Sequence, residues 1–290
     1  MSDYVVSAHD GTDLAVRDYG GEGPDVLFVH GAQRSLEDWG PVLHRLTAIR
    51  AVAFDLRMHG RSGVPEATTL GDFVRDIDGV VREVGLSRPL VIGHSFGGVL
   101  ALQDSSAHPE RAGVVDIDGF DFRQRELYDE IDPAAVDRFL GGFRFESGDD
   151  HGDDVWLEQQ REMLAGLNTA WKVPDDVATA TFERIFVRNG SGWVRRPPNT
   201  FFDLVNAPDG IGDPLGPLRD SQAPAVVVVV CHPPGESGMF AEGRKGLERH
   251  VRAIATERPH IRLETIDATH GVIFEKPDEI AAIIHTLTGA

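Results

Sequence analysis

Cysteine and lysine are almost missing from this chain, and no apolar run is long enough to cross a membrane. The one cysteine, Cys231, excludes an intramolecular disulfide framework. It closes an apolar run and reads as a plain buried thiol. Lysine occurs only at Lys172, Lys245 and Lys276 while arginine is common, a compositional habit and not a site. Basic surplus is lacking as well, since the 290 residues carry a formal net charge of -19. Phosphate contact needs a basic surface, so a nucleic-acid binder is excluded and an anionic membrane surface disfavoured. No segment approaches the roughly 18 consecutive apolar residues of a membrane span, and MSDYVVSAHDG has no basic stretch followed by an apolar one. The expectation is a soluble cytoplasmic protein, with a homo-oligomer left open. Internal repeats and low-complexity segments are missing too.

What is present is a hydrophobic content of 41%, enough for one large α/β core or a core with an inserted subdomain. DVLFVHG (25–31) and RAVAFDLRMHGRSG (50–63) predict strands running into glycine-bearing turns. Between them SLEDWGPVLHRL (35–46) has the spacing of a helix. Leu70, Phe73, Val74, Ile77, Val80, Val81 and Val84 form the stripe of an amphipathic helix over 69–84. PLVIGHSFGG (89–98) predicts strand, sharp turn and helix, and AGVVDIDGF (112–120) another strand. Strands separated by helices argue a mostly parallel, buried sheet.

The rhythm breaks over 121–220, where no clear strand is legible and helices are expected near 132–140, 153–167, 175–187 and 198–206. The Gly- and Asp-rich run ESGDDHGDD (146–154) lacks the fixed ligand register of a calcium loop and reads as a solvated connection. APAVVVVVC (223–231), a helix of about 240–257, IRLETID (261–267) and a helix from Pro277 resume the alternation. The predicted organisation is a core of 1–120 and 221–290, with 121–220 as a helical lid over the sheet's C-terminal edge. In open α/β sheets the site lies at that edge.

The strongest chemical signal is GHSFG, Gly93 to Gly97, a G-x-S-x-G run in strand-turn-helix context. Such a turn presents the Ser95 hydroxyl at the top of the strand as a nucleophile. A serine needs a base to take its proton, and His270 in DATHGVIF, between the last strand and the last helix, is best placed. A tetrahedral intermediate needs two donors for its oxyanion. The backbone N–H of Phe96 is one by position, and His30-Gly31 nominates the N–H of Ala32 as the other.

With these residues in place the chain resembles the α/β-hydrolase superfamily over nearly its whole length. FVHG (28–31), FDLRMHGRSG (54–63), VIGHSFGG (91–98), HPER (108–111) and THG (269–271) carry the likeness. The resemblance implies an α/β-hydrolase fold, with a mostly parallel central sheet, helices on both faces and an inserted helical cap. It also implies a Ser-acid-His site that needs no cofactor and no metal. Haloalkane dehalogenases and epoxide hydrolases keep Asp where this chain has Ser95. The dehalogenases commonly also have Asn and Trp where Ala32 and Phe96 stand. The expected activity is therefore hydrolysis of a carboxylic ester or lactone, a small-molecule partner that the cap's aromatic residues suggest is fairly bulky and apolar. Carbon–carbon cleavage of a diketone and cofactor-free perhydrolysis are alternatives within the superfamily. A non-catalytic, ligand-binding relative is the alternative outside enzymes.

The acid is the open member. The family's usual position, just past APAVVVVVC, falls on Pro233 or Pro234, and Glu236 is the nearest carboxylate. Some relatives take the acid from the strand after the nucleophile helix, which here ends at Asp118. A carboxylate in a buried strand is costly unless paired, and the imidazole of His270 is a fitting partner. Asp118 leads, Glu236 is the alternative, and Asp121 is a third choice. Asp116, one step deeper, is expected to bond to a neighbouring loop.

Overall fold

A computed structural model describes residues 1–145, 148–207, 211, 213 and 215–289. Eight strands form the central sheet: β1 (Ser2–Ser7), β2 (Asp13–Gly20), β3 (Asp25–Val29), β4 (Arg50–Phe54), β5 (Leu90–His94), β6 (Gly113–Ile117), β10 (Val226–Cys231) and β11 (Ile261–Ile266). Their spatial order is β1-β2-β4-β3-β5-β6-β10-β11. The pairs from β4 to β11 are parallel, while β1 with β2 and β2 with β4 are antiparallel. The N-terminal hairpin is an addition to the predicted strands.

Side chains alternate between two cores, one on each face, as the two-residue period of a strand requires. Leu27 and Val29 of β3 pack on one face and Val26 and Phe28 on the other. Along β10, Val226, Val228 and Val230 join the first core, and Val227, Val229 and Cys231 the second. That double burial is why the run is apolar at every position. The first core is closed by helices Leu70–Val84, Phe96–Ala107 and Met239–Glu257, and the second chiefly by helix Pro277–Thr288. The expected helix at 35–46 is shorter, a 3₁₀ turn at Leu36–Trp39 followed by Gly40–Leu43. Among the described residues no helix is long and apolar enough to cross a membrane.

Between β6 and β10 no described residue joins the central sheet, and helices Pro133–Gly142, Asp154–Ala170, Asp175–Ile185 and Asn199–Asn206 form a cap. The expectation of no strand here is corrected. Three short strands, β7 (His151–Gly152), β8 (Phe186–Asn189) and β9 (Gly192–Arg195), make an antiparallel sheet in the order β7-β9-β8. With two to four residues each, they are too short to show a period. Of the acidic run 146–154, Glu146 and Ser147 lie outside the described residues. Asp153 caps the N-terminus of helix Asp154–Ala170 by accepting from the Trp156 amide, and Asp150 accepts from the Asn199 amide.

Polar side chains bind cap to core. Arg184 donates from Nε to Asp55 Oδ2 (2.6 Å) and from Nη1 to Glu37 Oε1 (3.2 Å), and the Thr181 hydroxyl donates to Asp38 Oδ1 (2.9 Å). These contacts hold helix Asp175–Ile185 against the loops that follow β3 and β4.

Candidate active site

Three loops at the C-terminal edge of the sheet meet at one point. The first is the turn from β5 into helix Phe96–Ala107. Ser95 has φ 56° and ψ -123°, a strained backbone that lifts its side chain clear of the sheet. The turn closes because its neighbours have no Cβ. One added at Gly93 would lie 2.0 Å from the Gly97 carbonyl oxygen, and one at Gly97 would lie 2.3 Å from that of Val29. Ser95 is tied to the next strand, its amide donating to the Ile117 carbonyl (2.8 Å).

The second loop follows β6, the immediate neighbour of β5. Asp118 also has positive φ (53°), and its amide donates to the Val229 carbonyl on β10 (2.8 Å). The third loop follows β11 and carries His270. His270 Nε2 stands 2.9 Å from Ser95 Oγ, and His270 Nδ1 stands 2.6 Å from Asp118 Oδ2. An ionised carboxylate only accepts, so Nδ1 carries the hydrogen and Nε2 offers its lone pair to the serine hydroxyl.

Asp118 is fully buried, and its other oxygen, Oδ1, accepts from the Cys231 amide (3.1 Å) and from Arg244 Nη1 (2.6 Å). Burial works against the charge, but the bond to His270 outweighs it, helped by the Arg244 guanidinium and the Cys231 amide. The carboxyl is held well below the usual carboxylate range. Arg244 was not singled out from the sequence; one arginine among the charged residues of helix Met239–Glu257 carries no signal of its own.

Glu236, the alternative acid, faces Arg244 instead of the imidazole, with Oε2 3.1 Å from Arg244 Nε. Asp121 pairs with Arg123 (2.7 Å). Asp116 accepts from the Gly119 amide (3.0 Å), the local loop contact expected for it. Burial first, and then the charge of Asp118, push its carboxyl well above the ordinary value.

Two further histidines brace the site. His94 Nε2 lies 2.8 Å from the His270 carbonyl oxygen, so that nitrogen donates, and the two rings lie 4.9 Å apart. Burial, reinforced by the nearby His270, pushes the His94 pKa down to about 3, keeping the ring neutral. His30 Nδ1 donates to the Gly31 carbonyl (2.7 Å) while its Nε2 accepts from the Leu56 amide (3.0 Å). That pair fixes the loop bearing Ala32. The loop runs close to the nucleophile, since a Cβ on Gly31 would lie 3.1 Å from Ser95 Cβ.

A cavity of about 130 Å³ opens above Ser95, Asp118 and His270. Its walls are Ala32, Phe96, Val99, Phe120, Phe122, Phe145, Phe201, Phe202, Val205 and Ile211, with Gln33 as its other polar group. Of the cap aromatics noted in the sequence, Phe145, Phe201 and Phe202 reach it, whereas Trp156, Phe182, Phe186 and Trp193 pack among themselves. Trp171 stands edge-on to the His270 ring at 5.5 Å. Phe120 and Phe122 come from the loop after Asp118, ahead of the first cap helix, and are not among the aromatics expected of the cap. A more open groove of about 530 Å³ runs between Val64 and the cap sheet, and no member of the Ser95 cluster borders it.

A nucleophile on a strained strand-to-helix turn, a neighbouring imidazole and a buried carboxylate, all at the C-terminal edge of a mostly parallel sheet, define the serine-hydrolase class of α/β proteins. The chain belongs to the alpha/beta hydrolase family, whose model matches residues 26–283. It is 34% identical over 139 residues to lipase LipV of Mycobacterium tuberculosis, an alignment covering 43% of this chain and 52% of that one. It is 30% identical over 137 residues to 2-(acetamidomethylene)succinate hydrolase of Mesorhizobium japonicum, covering 42% and 49%. The matched region thus spans about half the length of these curated relatives. A crystal structure of E-2-(acetamidomethylene)succinate hydrolase superposes over 100% of this chain and 99% of its own, with a TM-score of 0.72 at 23% identity.

Proposed function

We propose that this protein is a serine esterase or lactonase acting through an acyl-enzyme. The observation that carries the reading is the unbroken chain of bonds from Ser95 through His270 to Asp118 beneath an apolar cavity. His270 Nε2 takes the hydroxyl proton as Ser95 Oγ attacks the ester carbonyl carbon. Asp118 stabilises the resulting imidazolium and holds its Nδ1–H. The amides of Ala32 and Phe96 receive the oxyanion, and neither donates to another group among the described residues. Collapse breaks the carbon–oxygen bond, and the imidazolium protonates the leaving alcohol. Water, deprotonated by His270, then attacks the acyl-enzyme and releases the acid and free Ser95.

Names among the relatives, a lipase and a hydrolase, agree with hydrolysis. The division into a core of 1–120 and 221–290 and a cap of 121–220 is part of the same proposal, supported by the gap in central-sheet strands between β6 and β10. The phenylalanine walls suit an apolar substrate. At about 130 Å³ the cavity is below the roughly 300–1,000 Å³ of a site that encloses a drug-sized ligand. It therefore receives one arm of the ester, and bulk beyond that must lie outside it.

The test is a panel of aryl esters of graded acyl length, macrolactones and vinylogous diketones, alongside labelling with a fluorophosphonate. Ester turnover that falls as the acyl chain outgrows the cavity, with a single adduct on Ser95, is expected. Cleavage confined to diketones, or no adduct on native protein, would overturn the reading.

A further inference from the structure

We propose that Arg244 is a positioning residue that shares the charge of Asp118 and, with Glu236, sets the pH range in which His270 acts as a base. The inference rests on the serine-hydrolase reading and extends it to a residue that touches no reacting atom. Arg244 is buried, and its two ends do different things. Nη1 lies 2.6 Å from Asp118 Oδ1, and Nε lies 3.1 Å from Glu236 Oε2. Its guanidinium carbon stands 5.2 Å from the ring centre of Phe120 and 5.4 Å from that of Phe122, both walls of the cavity.

Geometry gives the first role. A carboxylate gripped on Oδ1 by a guanidinium and a backbone amide cannot rotate, so Oδ2 stays aimed at His270 Nδ1. Electrostatics gives the second. A cation on the far side of Asp118 cancels part of the field that stabilises the imidazolium, and Glu236 restores part of it.

The other charged or titratable groups around the pair are already spoken for. His94 on β5 is kept neutral, and the carboxyl of Asp116 on β6 and the thiol of Cys231 on β10 are both pushed well up, each chiefly by burial. Arg34, after β3, is paired with Asp38 at 2.6 Å, and Glu275 accepts from Thr269 and pairs with Lys172. Among the described residues, the cation bonded to Asp118 is Arg244.

Opposed signs make the idea testable. In Arg244→Gln a donor remains but the charge is gone, so the imidazolium gains stability. The ascending limb of the kcat/KM pH profile should then move up by roughly half to one pH unit, with kcat down about tenfold. In Glu236→Gln the guanidinium is less compensated, and the limb should move down. Arg244→Lys keeps the charge and loses the two-ended grip, so kcat should fall while the limb stays near that of the unmodified enzyme.

Limbs that do not move, that move the same way in the two Gln variants, or that move in Arg244→Lys as far as in Arg244→Gln would overturn the inference. Should Arg244→Gln fail to fold, Glu236→Gln decides, a downward shift supporting the idea and an unmoved limb overturning it. Failure of the hydrolase reading would look different, because the unmodified enzyme would then neither turn over esters nor label at Ser95.

Discussion

Asp116 and Asp118 are two residues apart, equally buried, and their carboxyl pKa values are pushed in opposite directions. Asp118 has an imidazole, a guanidinium and an amide for partners, whereas Asp116 has the Gly119 amide and the repulsion of Asp118. Burial disfavours the charged form of Asp116, and the charge of Asp118 disfavours a second one beside it. The folded-state pKa of Asp116 therefore lies above its unfolded value of about 3.9. A group raised in this way loses its contribution to stability as pH climbs through the folded pKa, because the unfolded chain ionises freely. Asn keeps the acceptor for Gly119 and has no proton to lose. Asp116→Asn should thus melt higher than the unmodified protein at pH 8, by about 2 °C or more, with the gain shrinking toward pH 4. Melting curves across that range check this, and no gain at pH 8 would contradict it. At this scale the sequence was legible wherever local chemistry demanded a partner. A carboxylate in an apolar strand pointed to Asp118, and a glycine-flanked serine to Ser95. Arg244 was not legible, because its partner lies 126 residues away in the chain and nothing local requires it.

At the scale of elements, the central strands, the long helices and the four cap helices were readable from their periods, while the strands of the cap were not. Strands β7, β8 and β9 are shorter than the pattern needed to detect them. The N-terminal hairpin lies outside the expected strands although YVVS and DLAVRDY carry strand-forming residues around a His-Asp-Gly turn. The joint between cap and core was equally hidden, since Arg184 and Asp55 are both buried but 129 residues apart. Removing one partner of a buried ion pair leaves the other uncompensated, at about 3–5 kcal/mol. Arg184→Met strands Asp55 with the Leu36 and Arg61 amides as its donors. It should destabilise the protein by roughly that amount in urea unfolding. A loss below about 1 kcal/mol would mean the joint is held by packing instead.

Across the whole molecule, the order of strands decides which carboxylate can serve. Asp118 leaves β6 beside the nucleophile strand, while His270 arrives from the edge strand β11 and reaches past β10. The loop after β10 carries prolines at 233 and 234, where the family resemblance leads one to expect the acid. Its carboxylate, Glu236, is engaged with Arg244. The loop thus acts on the site from behind, through the guanidinium. The central claim is that the acid of the proposed triad stands at the end of β6. Turnover by Asp118→Asn and Glu236→Gln, each checked for native folding and each assayed at its own pH optimum, tests it most directly. Asp118→Asn should lose about 10³–10⁴-fold in kcat, the scale on which a triad without its carboxylate fails. Glu236→Gln should stay within about tenfold of the unmodified enzyme. A Glu236→Gln enzyme that is inactive beside an Asp118→Asn enzyme that is not would contradict it.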